Sequence, residues 1–197
     1  MAMTTVKEKG IPFKGEMVRA ILEGRKTQTR RAARTYESRY SSTGHLIRLG
    51  RGRSIETDER AIPYCPYGSI GDRLWVKETL REDLGCAVYA ADMIPVFTDG
   101  DATEWRWRRR VLPSIHMPRW ASRITLEITD VRVERLQGIS EEDAWDEGFP
   151  DPDGANRNYP DRARYWFKTL WGSINGPGSW DANSFVWAIS FRPVEAH

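Results

Sequence analysis

Cysteine is scarce in this chain. Its two copies, Cys65 and Cys86, stand far apart. Two thiols cannot build a structural zinc site alone. His45 and His116 would complete four ligands, but at no close-paired spacing, so no metal or other cofactor is expected. Both thiols are expected to be reduced, with Cys86, inside an apolar run, in the core. Long apolar stretches are missing too. None exceeds six residues, so no segment is expected to span a membrane. The opening MAMTTVKEKG has no apolar signal region, which makes the cytoplasm the expected location. Internal repeats are absent.

What is there is ordinary in bulk and uneven in detail. The 197 residues favour one domain, with insertions or long loops at about 32–62 and 92–113. The net charge of +2 hides an asymmetry. Residues 1–60 carry 14 Lys or Arg against 7 Asp or Glu, whereas residues 138–161 carry 1 against 8. The basic end would attract phosphates, or the two ends would neutralise each other in the fold. Nine tryptophans supply buried anchors or flat contact surfaces.

Periodicity divides the chain. Glu16 to Glu23 is a short amphipathic helix with Met17, Ala20 and Ile21 on one face, and Gly24 closes it. Then comes Gly24-Arg25-Lys26-Thr27-Gln28-Thr29-Arg30-Arg31. Extended chain there would bring the Lys26 amine near a threonine hydroxyl. An amine, a hydroxyl and guanidinium groups suit a polar or anionic substrate. Cations past a helix end also simply complement the helix dipole. Residues 32–62 are poor in apolar side chains and read as a long loop or insertion, in which Arg48, Arg51 and Arg53 are either nucleic-acid contacts or solvated.

A Gly-Asp turn introduces a strand from Leu74 to Thr79, with Leu74 and Val76 inward and Trp75 and Lys77 outward. Glu78 falls on the core side and requires a partner, an arginine or a pocket. Val88 to Ala91 is a short strand. In Trp105-Arg106-Trp107-Arg108-Arg109-Arg110, either the tryptophans stack bases or they are core while the arginines reach solvent. Ile124 to Ile128 alternate cleanly, and the apolar parity changes beyond Asp130, which implies a bulge. Ser140 caps a helix that Gly148 ends. Glu147, at the far end of that helix, opposes the dipole and needs a reason to be there, such as a lysine partner in a pocket. Pro160 to Ile174 is an amphipathic helix with Ala163, Trp166, Phe167, Leu170, Trp171 and Ile174 on its apolar face, and Asn183 to Arg192 is a last strand.

Gly24, Lys26, Thr29 and Arg31 stand as G-x-K-x-x-T-x-R, which resembles the signature of ASCH domains, a branch of the PUA-like superfamily. The run G-D-R-L-W-V-K-E-T, the acidic I-S-E-E-D-A-x-x-E-G and the terminal V-W-A-I-S-F resemble later landmarks of that family. The run His116-Met117-Pro118-Arg119-Trp120-Ala121-Ser122-Arg123 resembles a phage-type subgroup, in which it lies beside the pocket. The resemblance implies an α+β fold, a small PUA-like β-barrel with flanking helices, and partners among RNA, modified nucleosides or nucleotides, and DNA. From the branch that deacylates N4-acylated cytidine it implies Lys26, Thr29 and Glu147 as catalytic residues. Gly24, Arg31, Trp75, Arg106 and Arg119 would bind substrate. Two further readings stand beside it: a binding module for nucleic acid or a modified base without chemistry, and a metal-independent ribonuclease in which Lys26 acts on the ribose hydroxyl.

Overall fold

The computed structural model describes residues 5–50, 53–151 and 160–194. Arg51 and residues 152–159, between the two predicted helices, lie outside the described residues. In chain order the elements are β1 (Glu8–Pro12), α1 (Gly15–Leu22), β2 (Gln28–Ala32), β3 (Thr35–Glu37), β4 (His45–Gly50), β5 (Arg53–Glu56), β6 (Arg73–Lys77), β7 (Leu80–Asp83), β8 (Cys86–Tyr89), β9 (Phe97–Thr98), β10 (Asp101–Ala102), β11 (Val111–Leu112), β12 (Thr125–Arg135), α2 (Glu141–Asp146), α3 (Arg162–Asn175) and β13 (Phe185–Val194).

The architecture is α+β. The main sheet has the order β1-β6-β12-β13-β2, with β1 parallel to β6 and the remaining pairs antiparallel. β12 and β13 are its long central pair. Their register shifts between Ile128 and Asp130, where the change of apolar parity implied a bulge. As paired, the sheet is open among the described residues: β1 and β2 are its edges, and no closed barrel forms.

Alternation decides what the sheet buries. Leu74, Val76, Leu126 and Ile128 are fully buried, and α1 lays Met17, Val18 and Ile21 into the same core. Each such side chain contributes about 1.5–3 kcal/mol of burial before entropic costs. A second core joins α2, α3 and β13 through Ala144, Phe167, Trp171 and Val186. A third lies under the small β11-β7-β8 sheet, around Leu80, Tyr89 and Met117.

Residues 32–62 differ from the expected loop. They hold the sheet β3-β4-β5 and a 3-10 turn at Glu59–Tyr64. The segment is apolar-poor because few inward side chains suffice: Ile47 is buried and Ile55 packs on the main core. Hydroxyls fill the rest, with Thr43 Oγ1 bonded to Thr57 Oγ1 at 2.5 Å and Ser41 Oγ to Glu56 Oε2 at 2.5 Å. Residues 92–113 likewise contain β9, β10 and β11. Cys86 is half-buried at the start of β8, and it is Cys65 that is buried.

Glu78 has the arginine its inward position required. Arg123 grips it with two bonds, Nε to Oε1 at 2.9 Å and Nη2 to Oε2 at 2.8 Å, and holds Asp92 through Nη1 at 2.8 Å. Its guanidinium lies 3.9 Å from the Tyr89 ring centroid. Burial pushes the Tyr89 phenol up to about 12, and its hydroxyl donates to Ala121 O at 2.8 Å. Removing one partner of such a pair strands a buried charge. Arg123→Met should therefore cost about 3 kcal/mol in urea unfolding, and Glu78→Leu added to it should recover most of the loss. An unchanged midpoint for the single variant would show that the pair does not hold β6 in place.

Candidate functional site

The site begins where α1 stops. Gly24 has φ +73°, and after it Arg25 N and Lys26 N both return to Ala20 O, at 2.9 and 3.0 Å. This tight exit carries Lys26 beneath the helix. On the other side, Ser140 Oγ caps α2 by accepting from Asp143 N at 3.0 Å, and Glu147 closes the helix with its N–H on Asp143 O. The two turns meet. Lys26 and Glu147 form a β-bridge, and Thr27 N donates to Asp146 O at 2.8 Å. Gly148, at φ +96°, leaves room for the approach. A Cβ there would lie 2.9 Å from Ala20 Cβ and 3.1 Å from Lys26 Cβ.

Lys26 is 2% exposed, and its ammonium has three acceptors: Gln28 O at 2.7 Å, Glu147 O at 2.9 Å and Glu147 Oε2 at 2.7 Å. Three donors meet three acceptors, which is the pattern of the charged form. Burial nevertheless pushes its pKa below the ordinary 10.5; Glu147 opposes that shift, while Arg31 and Arg30 add to it. The acid that opposes the α2 dipole thus has the lysine partner its position called for. The expected approach of Lys26 to a threonine hydroxyl is not made, because carbonyl and carboxylate oxygens are the stronger acceptors for an ammonium.

Arg30 extends the network. Its side chain is wholly buried and bonds Glu134 Oε1 at 2.6 Å, Asp143 Oδ2 at 2.8 Å, Glu147 Oε1 at 3.3 Å and Gln28 Oε1 at 2.5 Å. Arg132 reaches the other oxygen of Asp143 at 3.0 Å. Burial pushes the Asp143 carboxyl up, but the Arg132 bond and the Arg30 charge outweigh it, leaving the pKa below 3.8. Lys26, Arg30 and Arg132 thus meet Glu134, Asp143 and Glu147, and Arg132 also pairs with Asp130 at 3.4 Å.

A cavity of about 260 Å³ opens beside this network. Lys26, Thr29, Arg31 and Glu147 line its polar side; Phe13, Phe167, Trp171 and Ile174 contribute apolar wall. Ile174, expected to be packed, is 47% exposed at this lining position. The Thr29 hydroxyl makes no hydrogen bond among the described residues. Arg31 is mostly buried, donates to Pro12 O at 2.6 Å and sits 5.1 Å from the Phe13 ring centroid. Its Nε has no partner, and no carboxylate lies within ion-pair distance among the described residues. Burial pushes its pKa below the ordinary arginine value. Trp171 Nε1 is likewise a buried donor without an acceptor. The polar wall can therefore offer a hydroxyl and an unneutralised cation beside a buried lysine–glutamate pair.

The other expected contacts lie elsewhere. Gly24 shapes the turn without lining the cavity. Trp75 lies across Gly10 on β1, with Lys77 Nζ at 5.3 Å and the Arg119 guanidinium at 5.8 Å from its ring. Arg119 pairs with Glu8 at 3.2 Å. Arg106 is exposed, whereas Trp105 and Trp107 pack on the third core. Trp107 also stacks on Trp120 at 6.4 Å and 12°. Sequence reasoning missed Arg30 and Phe13. The acidic excess at 138–161 was the signal for Arg30, since it demanded a buried cation; nothing local distinguished Phe13.

No protein-family model matches the chain, and no curated protein matches it. Among solved structures, it is similar to an ASCH domain from Lactobacillus crispatus JV V101, with 13% identity and a TM-score of 0.38, covering 95% of this chain and 79% of the other. It is also similar to a protein from Enterococcus faecalis V583 assigned to DUF984, with 11% identity and a TM-score of 0.41, covering 98% and 86%. Likenesses of that size establish no shared family.

Arg30→Met would leave three carboxylates without the cation they share. A loss of about 3–5 kcal/mol is expected in urea unfolding. A variant as stable as the parent would show that the network does not join β2 to α2.

Proposed function

We propose that the chain recognises RNA or a modified nucleoside through this cavity and hydrolyses the amide of N4-acylated cytidine there. One observation carries the reading. Lys26, Thr29 and Glu147, the set implied by the resemblance to ASCH domains, border one cavity although Lys26 and Glu147 are 121 positions apart. The volume lies just under the roughly 300 Å³ at which ligand pockets usually begin, which suits a single heterocycle. The apolar wall would cover its faces, and Arg31 would meet its oxygen or a developing oxyanion. The phage-type assignment of the His116–Arg123 run belongs to the same proposal.

The chemistry balances within the set. Glu147 accepts a proton from the Lys26 ammonium. The amine then takes the Thr29 hydroxyl proton as that oxygen attacks the acyl carbon. The C–N bond breaks, the acyl group stays on Thr29 as an ester, and the cytosine amine leaves with the proton that Glu147 held. Water then hydrolyses the ester. Bonds of this kind often tighten only with substrate bound.

Binding without hydrolysis is the second reading, and the three acceptors around Lys26 favour it, because a fully bonded ammonium is a poor base. Incubation with N4-acetylcytidine separates the two. Under the first reading cytidine appears, and Thr29→Val lowers the rate on the order of a thousandfold or more while binding persists. Absence of cytidine from the parent protein, with saturable binding, would leave the second. The pH profile is a further check. The Lys26–Glu147 pair must hold the one proton that ends on the leaving amine, so the rate should fall as pH rises through the Lys26 value, which burial places below 10.5.

A further inference from the structure

A second cavity, of about 470 Å³, shares the lining residue Ala32 with the first. Its walls come from β4 and from the turn at 59–68, and they present Arg34, Arg48, Tyr64 and Tyr67. We infer that this cavity binds a phosphate of the ligand whose base occupies the first, so that the ligand is a nucleotide within a single strand and not a free nucleoside. The inference rests on the reading of the first cavity as a nucleobase site.

The two arginines carry the argument. Thr35 pairs with Ile47, and Arg48 N donates to Arg34 O at 2.9 Å, so Arg34 and Arg48 stand opposite each other across the antiparallel pair. Residues directly opposite send their side chains to the same face, and like charges so placed repel. Neither guanidinium has a carboxylate within ion-pair distance among the described residues. Glu56 bonds Ser41, and Asp58 holds Arg60. Arg48 instead lies 5.3 Å from the Tyr36 ring centroid. An anion between the two would turn repulsion into paired, charge-assisted bonds, the geometry in which arginine exceeds lysine.

The tyrosines fix the kind of anion. Tyr64 is 43% exposed on the wall, and Tyr67 is largely buried beside it. Burial pushes the Tyr67 phenol up, while the charges of Arg31 and Arg34 draw it back. Tyr67 therefore sits within the field of one arginine from each cavity. Aromatic faces beside paired guanidiniums suit a sugar-phosphate with a stacked neighbouring base, which an inorganic anion would not use.

The experiment compares three probes by calorimetry at fixed salt: cytidine, its 5′-monophosphate, and a single-stranded hexanucleotide of cytidine. Each is titrated into the full chain and into Arg34→Gln and Arg48→Gln. Both side chains are exposed, and removing one relieves repulsion, so the melting temperature should hold or rise. The monophosphate should bind about tenfold tighter than cytidine, and the hexanucleotide tighter still. Each variant should lose the phosphate increment and leave cytidine affinity unchanged, with the salt slope shallower by about 0.7 per lost phosphate contact. Equal affinity for cytidine and its monophosphate, or an increment surviving in both variants, overturns the inference and leaves the first cavity standing. A monophosphate increment without tighter hexanucleotide binding overturns the strand and keeps the phosphate site. Hexanucleotide binding lost in the variants without any cytidine binding overturns the first cavity instead. No binding of any probe overturns both.

Discussion

The structure depends on a buried ion pair, Lys26 with Glu147, drawn tight by Arg30. A lone charge at that depth would be expelled or neutralised. Paired, the charges tie the exit of α1 and strand β2 to the closing turn of α2, two segments otherwise distant in sequence. Hydrophobic burial is indifferent to partner; this network is not. Its cations and carboxylates meet at specified distances, so it selects one docking of α2 on the sheet edge. Gly148 belongs to the same constraint, because only a residue without a side chain permits the approach that the pair demands.

The network has a consequence for its neighbour. Glu147 is shared by Lys26 and Arg30, and Glu134 and Asp143 are taken by Arg30 and Arg132. Among the described residues no carboxylate is left for Arg31, which faces the cavity with its Nε unused. Trp171 adds a second buried donor in the cavity wall. The same imbalance recurs at the second cavity, where Arg34 and Arg48 face each other without an acid among the described residues. Stability is thus built on neutralised charge, and the surfaces available for a ligand are those where cations remain over.

Much of this was legible in the order of residues. The amphipathic runs located α1 and α3, alternation located β6, β12 and β13, and the parity change at Asp130 located the bulge. Glu78 and Glu147 were each read as acids in positions that required a cation, and each has one. The failures are equally physical. β3, β4 and β5 escaped notice because a small sheet on a larger core needs few apolar residues and satisfies the rest with hydroxyl networks. Cys86 was placed by its apolar neighbours, but a strand end next to glycine stays half open. Trp75, Arg106 and Arg119, which the resemblance grouped with the substrate, do not line the first cavity, because a shared motif carries no distance.

By itself the sequence determined the local terms: where helices start and stop, which faces are apolar, and which charged residues stood in places that water could not serve. Those follow from periodicity and capping, which act over a few residues. Only the tertiary structure decided which cation meets which carboxylate and which arginines are left without one. Pairing energy depends on separation in space, and a separation bridged across 121 positions is set by the packing of every element between.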